Sequence, residues 1–316
     1  MKEKSREIST IFNKTAMKNY KLSIILLALL LTGCSPKTNN ENTEKSTHLP
    51  PIECDEVYLI MGQSNSDGIS PWSFLETKDP ETFAIFSGKG ISNIKYCHQI
   101  QGGTISTFQN LKFGYGASAQ YFGPEIGIGD KLNEEGKTKY IIKAGWSGSI
   151  LDSQWLKGNY ERGYLYDSNI NFIKERLNEL NESGLKPKVR GVFWMQGESD
   201  SFSGRYEKYQ KNTECLISYL REDLSPWIYS HFNFVDAFIS IKSHHWQNPT
   251  AVNNAKLTVS KKIVDCYCIK TNGEDEQALN LDLKDQVGED ENDNAHYCST
   301  SMVALGKEAG KYINRW

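Results

Sequence analysis

No run of about 20 apolar residues occurs anywhere in the 316-residue chain, so the sequence offers no membrane-spanning helix. Nor is there a basic excess. The 36 Lys and Arg stand against 39 Asp and Glu, a net charge of −3, which leaves nothing to neutralise a phosphate backbone and excludes a nucleic-acid binder. The seven cysteines contain no paired CxxC spacing, so a structural zinc site is not expected. The G-x-S-x-G elbow of α/β-hydrolases is also missing. What is present is 38% hydrophobic, 24% charged and 11% aromatic, the composition of a globular protein and not of a disordered one.

The first 33 residues read as an address. Leu22 to Thr32 (LSIILLALLLT) is about half as long as a bilayer span requires; Lys18 and Lys21 precede it and small polar residues follow, the layout of a secretory signal. Leu31-Thr32-Gly33-Cys34 resembles a bacterial lipobox, which predicts cleavage before Cys34 and lipid on its sulfur. Met17 opens a more typical signal start, and translation is expected to begin there. Residues 34–51 are nearly devoid of apolar side chains and close on two prolines. They cannot bury enough surface to offset the entropy of ordering, and read as a flexible tether. Residues 1–33 hold six basic and two acidic side chains; without them the chain has 30 basic and 37 acidic residues and a charge of −7. The expectation is an exported bacterial lipoprotein, anchored through Cys34 at the outer membrane or cell surface. Six cysteines remain: Cys54, Cys97, Cys215, Cys266, Cys268 and Cys298. An even number in an oxidising compartment fits up to three disulfides; free buried thiols are the alternative, since a domain this large does not need staples.

From residue 52 onward, short apolar runs alternate with amphipathic stretches. Glu56–Met61, Lys139–Ala144, Val189–Met195, Phe232–Ile239 and Val264–Ile269 read as strands. Pro124–Gly136, the stripe Ile170, Ile173, Leu177 and Leu180, then Tyr206–Leu220, Asn253–Ile263 and Ser299–Ile313 read as helices, the last capped by Ser299 or Thr300. This alternation predicts one α/β domain over residues 52–316, a three-layer α/β/α sandwich with a mostly parallel central sheet. Active sites in such sheets lie beyond the carboxyl ends of the strands.

Four segments stand at or near those ends. Gly62-Gln63-Ser64-Asn65-Ser66-Asp67-Gly68 follows the first strand. A serine at a strand-to-loop turn exposes a hydroxyl and its own N–H to the same space, as a nucleophile with an oxyanion donor would, though a plain turn reads the same way. Gly145-Trp146-Ser147-Gly148-Ser149 follows the second, where glycine lets backbone N–H groups approach a ligand. Gln196-Gly197-Glu198-Ser199-Asp200 ends the third with an amide and a carboxylate; a helix cap is the bland alternative. Asp293-Asn294-Ala295-His296 precedes the last helix, at a spacing that lets the carboxylate turn back onto the imidazole.

Together these segments resemble the SGNH hydrolase superfamily. More narrowly, they are similar to its carbohydrate-esterase branch, the sialate O-acetylesterase and family 6 acetylxylan esterase group. Tyr58-Leu59-Ile60-Met61-Gly62-Gln63-Ser64-Asn65 matches the nucleophile block and Phe122-Gly123-Pro124-Glu125 the helix-opening block. Val192 to Asp200 (VFWMQGESD) is the most specific match, and Asp293 to His296 with Leu305-Gly306 matches the closing block. Ser147 replaces a family glycine, Asn294 stands where a glycine usually follows the closing Asp, and Gln196-Gly197-Glu198 replaces the Gly-x-Asn-Asp block.

The resemblance implies an SGNH or flavodoxin-like fold and a serine esterase that removes O-acetyl groups from carbohydrates without metal or cofactor. Ser64 would be the nucleophile and His296 the base, oriented by Asp293 or by Glu198. Ser64, Gly148 and Gln196 would donate to the oxyanion. Gln63, Asn65, Trp146 and Trp155 would contact the acetylated carbohydrate, and Trp72 and the His244-His245-Trp246 cluster offer further flat faces. Three other readings keep parts of this pattern: a carbohydrate-binding lipoprotein that lost turnover, a cysteine-stapled structural lipoprotein, and an esterase acting on a non-sugar acyl ester.

Overall fold

The computed structural model describes residues 53–158, 163–228 and 230–315. The expected signal, the lipidation site Cys34 and the tether fall outside them. Along the chain run β1 (Asp55–Gly62), α1 (Ser64–Asp67), β2 (Ser70–Pro71), α2 (Leu75–Lys78), α3 (Pro80–Phe86), β3 (Ile91–Ile100), β4 (Gly103–Leu111) and β5 (Tyr121–Phe122). Then follow α4 (Glu125–Leu132), β6 (Lys139–Gly145), α5 (Leu151–Gln154), α6 (Tyr164–Glu182), β7 (Pro187–Met195), α7 (Tyr209–Asp223), β8 (Asn233–Ala237), α8 (Pro249–Lys262), β9 (Cys266–Ile269) and α9 (Ser299–Ile313).

The main sheet has the order β4-β3-β6-β1-β7-β8-β9, and every pairing is parallel except β3 with β4. β1 lies at its centre, which explains a strand apolar on both faces. Val57, Leu59 and Met61 point into one core; Tyr58 and Ile60 point into the other. The first core is covered by α6 and α7, where the stripe Ile170, Ile173, Leu177 and Leu180 is buried. The second is covered by α4 and α9, through residues such as Ile126, Ile128, Met302 and Leu305. The molecule is therefore the α/β/α sandwich that the alternating pattern predicts.

Two features differ from the sequence expectation. The β3–β4 hairpin extends the sheet beyond β6, yet β4 has polar or small residues at most positions, because an edge strand has one open side and little need of apolar side chains. The cap of α9 is not Ser299 or Thr300; Cys298 occupies the cap position, and the Glu289 carboxylate accepts the Ser299 N–H at 2.9 Å. All six cysteines in the described residues are free thiols.

After β1 the chain builds one half of the sheet out to β4 and returns through β6, then crosses to β7 and the other half. The carboxyl end of β1, flanked by β6 and β7, is thus the topological switch point, the place where such sheets open a crevice for ligands.

Candidate active site

Ser64 begins the first turn after β1. Gly62 has φ +141°, and a Cβ there would stand 2.0 Å from Met195 O, so only glycine lets β1 end flush against β7. The turn closes on Gln63 O, which accepts from Ser66 N and Asp67 N at 2.8 and 2.9 Å. Neither the Ser64 hydroxyl nor its N–H has a hydrogen-bond partner among the described residues. Both are available to a substrate.

A buried cation supports this turn from beneath. Lys143 is fully buried on β6 and donates to Asp67 O at 2.8 Å, Tyr115 O at 2.9 Å and Glu125 Oε2 at 2.9 Å. Glu125 in turn accepts from Gly123 N at 2.8 Å. The Phe122–Glu125 block is therefore the floor of the nucleophile turn.

His296 lies on the loop before α9. Its Nδ1 is 2.9 Å from both carboxylate oxygens of Asp293. Partial burial pushes the Asp293 carboxyl up, but hydrogen bonds from His296 and Lys284 outweigh it and hold the group well below the usual carboxylate range. An ionised carboxylate only accepts, so Nδ1 carries the hydrogen and Nε2 is left as the basic atom. This loop is fastened to the nucleophile turn: Tyr297 N donates to Asn65 Oδ1 at 3.3 Å, and Ser70 Oγ donates to Tyr297 O at 2.8 Å. Ser64 and His296 are each one residue from that bonded pair.

Of the two carboxylates left open by the sequence, only Asp293 is hydrogen-bonded to the imidazole among the described residues. Glu198 accepts from Asn65 Nδ2 at 2.8 Å, and its other oxygen has no partner among the described residues. It holds Asn65, which holds the Tyr297 backbone beside His296.

Gln196 is not an oxyanion donor. Its amide donates to Ser149 O at 3.1 Å and to Asp200 Oδ2 at 2.6 Å, and its oxygen accepts from Tyr209. Two hydrogens with two acceptors leave none for a substrate. Gln196 instead fixes the loop beside Gly148, and Asp200 reinforces it by accepting from Leu151 N and Asp152 N at the start of α5. Gly148 itself is exposed, with φ +70° and an N–H that has no acceptor among the described residues.

The expected substrate contacts divide. Gln63 and Asn65 are each 2% exposed. Gln63 Oε1 accepts from Gly197 N and Ser199 N, and Asn65 bridges Glu198 and Tyr297, so both tie loops together and do not line a cleft. Trp155 is fully buried; its Nε1 donates to Ser149 Oγ at 2.9 Å and its ring meets Trp194 edge to face at 5.1 Å. Aromatic area belongs in the core unless something holds it out, and nothing does here. Trp72 stacks on Phe113 and Phe83. Trp146 stays half-buried, with its backbone N–H donating to Gly62 O at 3.0 Å.

Three residues take roles in the site that the sequence did not assign them. Lys284, 2% exposed, pairs with Asp293 Oδ2 at 2.6 Å. Asp200 fixes the Gly148 loop as described. Ser147, which replaces the family glycine, donates to the buried Asp67 carboxylate at 2.7 Å and so joins the Gly148 loop to the nucleophile turn. Burial pushes the Asp67 carboxyl up to about 7, against the hydrogen bond from Ser147 and the charge of Lys143. A lone Lys or Asp carries no local signal of such roles.

An α/β/α hydrolase site follows from these parts: an unengaged serine at the switch point, a histidine oriented by a carboxylate, and unengaged backbone donors. A family model for carbohydrate esterases, described as sialic acid-specific acetylesterase, matches residues 54–314. The chain belongs to this family and is a carboxylic ester hydrolase of the SGNH type. Among solved structures it is similar to a protein from Arabidopsis thaliana, at 19% identity and TM-score 0.58, over 83% of this chain and 99% of that one. It is also similar to NanS, at 14% identity and TM-score 0.55, over 83% and 98%. These two likenesses are of fold. No curated protein matches in sequence.

Proposed function

We propose that the protein is a serine esterase that removes O-acetyl groups from a carbohydrate through an acetyl-enzyme. The observation that carries this reading is the His296–Asp293 pair, held by the Asn65–Tyr297 hydrogen bond beside a serine whose hydroxyl is unengaged.

His296 Nε2 takes the proton of Ser64, whose Oγ attacks the ester carbonyl. The backbone N–H groups of Ser64 and Gly148 receive the developing oxyanion, each such donor being worth about 2.7–4 kcal/mol. His296 then protonates the departing sugar oxygen, and water, activated by the same histidine, releases acetate. Asp293 remains ionised and steadies the imidazolium. No step calls for a metal or cofactor. The family description names sialic acid, which makes O-acetyl sialic acid the first substrate to test, with acetylated xylan as the comparison.

Ser64→Ala should abolish acetate release from both sugars and turnover of p-nitrophenyl acetate, with an unchanged circular dichroism spectrum. Retained turnover would rule out the serine mechanism. We further propose export and membrane anchoring through Cys34. Fatty-acid labelling in a bacterial host should be lost in Cys34→Ser, and labelling that persists would reject the anchor.

A further inference from the structure

The segment between β8 and α8 carries His244, His245 and Trp246, rings that the steps above do not use. It is built into both sides of the site. His244 N donates to Asn294 Oδ1 at 2.8 Å, on the loop between Asp293 and His296. Asn248 Nδ2 donates to Ser201 O at 3.0 Å, on the segment after Glu198. The Trp246 ring also meets Phe202 of that segment nearly at right angles, with centroids 6.1 Å apart. His245 N is held by Ser243 Oγ at 3.2 Å. The ring row is thus fixed and not a loose loop.

On this scaffold the two imidazoles are exposed and adjacent, their centroids 4.5 Å apart and their planes tilted by 40°. Trp246 continues the row at 6.0 Å from His245. No imidazole nitrogen of His244 or His245 has a hydrogen-bond partner among the described residues. They present flat faces with polar edges, directly beside the His296 loop.

The chemistry decides which half of the ester meets them. The carbonyl oxygen must sit at the Ser64 and Gly148 N–H groups, on the β6 side of β1. The departing oxygen must face His296, which gives it a proton. The alcohol half therefore leaves on the His296 side, where the ring row stands. A pyranose matches such a surface: its C–H face is apolar and its hydroxyls lie at the edge, where unpartnered nitrogens can meet them.

We propose that His244, His245 and Trp246 form the subsite for the sugar half of the ester, with a pyranose ring laid against the two imidazoles. The inference rests on the serine-esterase reading. It goes further by saying which surface distinguishes a sugar acetate from a simple one.

The test is a selectivity ratio, kcat/KM on an O-acetylated xylo-oligosaccharide or O-acetyl sialic acid divided by kcat/KM on ethyl acetate, whose alcohol is too small to reach the row. A ratio does not depend on the fraction of enzyme that is folded. In His244→Ala and His245→Ala it should fall about five- to tenfold for at least one of the two sugars, mainly through KM. His245→Phe, which keeps a flat ring, should retain most of it. An unchanged ratio in both alanine variants, or an equal fall in His245→Phe, would overturn the subsite. That failure is distinct from failure of the serine mechanism, because hydrolysis of ethyl acetate would still require Ser64.

Discussion

Asp293 holds His296 Nδ1 at 2.9 Å from both of its oxygens, whereas Glu198, the acid delivered by the most specific stretch of sequence, has its hydrogen bond with Asn65 and none with that ring among the described residues. Glu198 acts at one remove, through Asn65 and the Tyr297 backbone. Asp293→Asn should therefore lower kcat by about 10⁴ with little change in KM, since the wrong tautomer is favoured. Glu198→Gln keeps an oxygen for Asn65 and should cost roughly tenfold, the effect of a loosened loop. Steady-state kinetics on p-nitrophenyl acetate separates the two, and the reverse order would make Glu198 the orienting acid.

Lys284 pairs with the other side of Asp293 at 2.6 Å and is almost completely buried. Because the folded carboxyl is held below its ordinary range, its contribution to stability is present above pH of about 4 and is lost as pH falls through the folded value. Lys284→Met removes one of the two groups that hold it down. At pH 7 the variant should lose about 1–3 kcal/mol in urea denaturation. Its stability should also fall less between pH 4 and pH 1 than that of the wild type. A parallel pH dependence would show that Lys284 does not set the Asp293 carboxyl.

Asp67 has the opposite sign. Its carboxyl is pushed up to about 7 by burial, so the folded protein holds a proton that the unfolded chain gives up near pH 4. This group alone makes stability fall as pH rises from about 4 to about 7. Asp67→Asn keeps an oxygen for Ser147 and does not ionise. Its denaturation midpoint should decline less over that window than the wild-type midpoint. Identical slopes would place the Asp67 carboxyl in its ordinary range.

Gln196 links the end of β7 to the Gly148 loop through Ser149 O. Gln196→Ala leaves the Ser149 carbonyl and the Asp200 carboxylate short of a donor in a buried place. The expected cost is about 1–3 kcal/mol in stability, with a lower kcat from a displaced Gly148 N–H. Were the amide itself an oxyanion donor, kcat would fall by 10² or more in a protein of undiminished stability, as estimated from single-donor removal.

Much of the fold could be read from apolar runs. Residues 57–61, 139–144 and 189–195 are buried on both faces, and a central parallel strand is built mostly of apolar residues, so the pattern is dense. β4 escaped because a strand at the sheet edge tolerates polar residues at most positions. Trp155 and Trp146 look alike in sequence, yet one is sealed against Trp194 and the other stays half-buried, a difference set by neighbours about 40 residues away or more.

Where chemistry gathers is written in the local sequence pattern. Strand formers ending in Gly62, Gly145 and Met195 place Ser64, Gly148 and the Gln196–Glu198 segment at one end of one sheet, and the three-residue step from Asp293 to His296 lets carboxylate and imidazole meet within a single turn. How those groups divide the labour is set by packing between distant segments. Each buried amide or carboxylate must satisfy itself on whatever partner packing brings within about 3 Å. For Gln196, Asn65, Asp67 and Lys284 that partner comes from another loop or strand end, whose proximity no local pattern encodes.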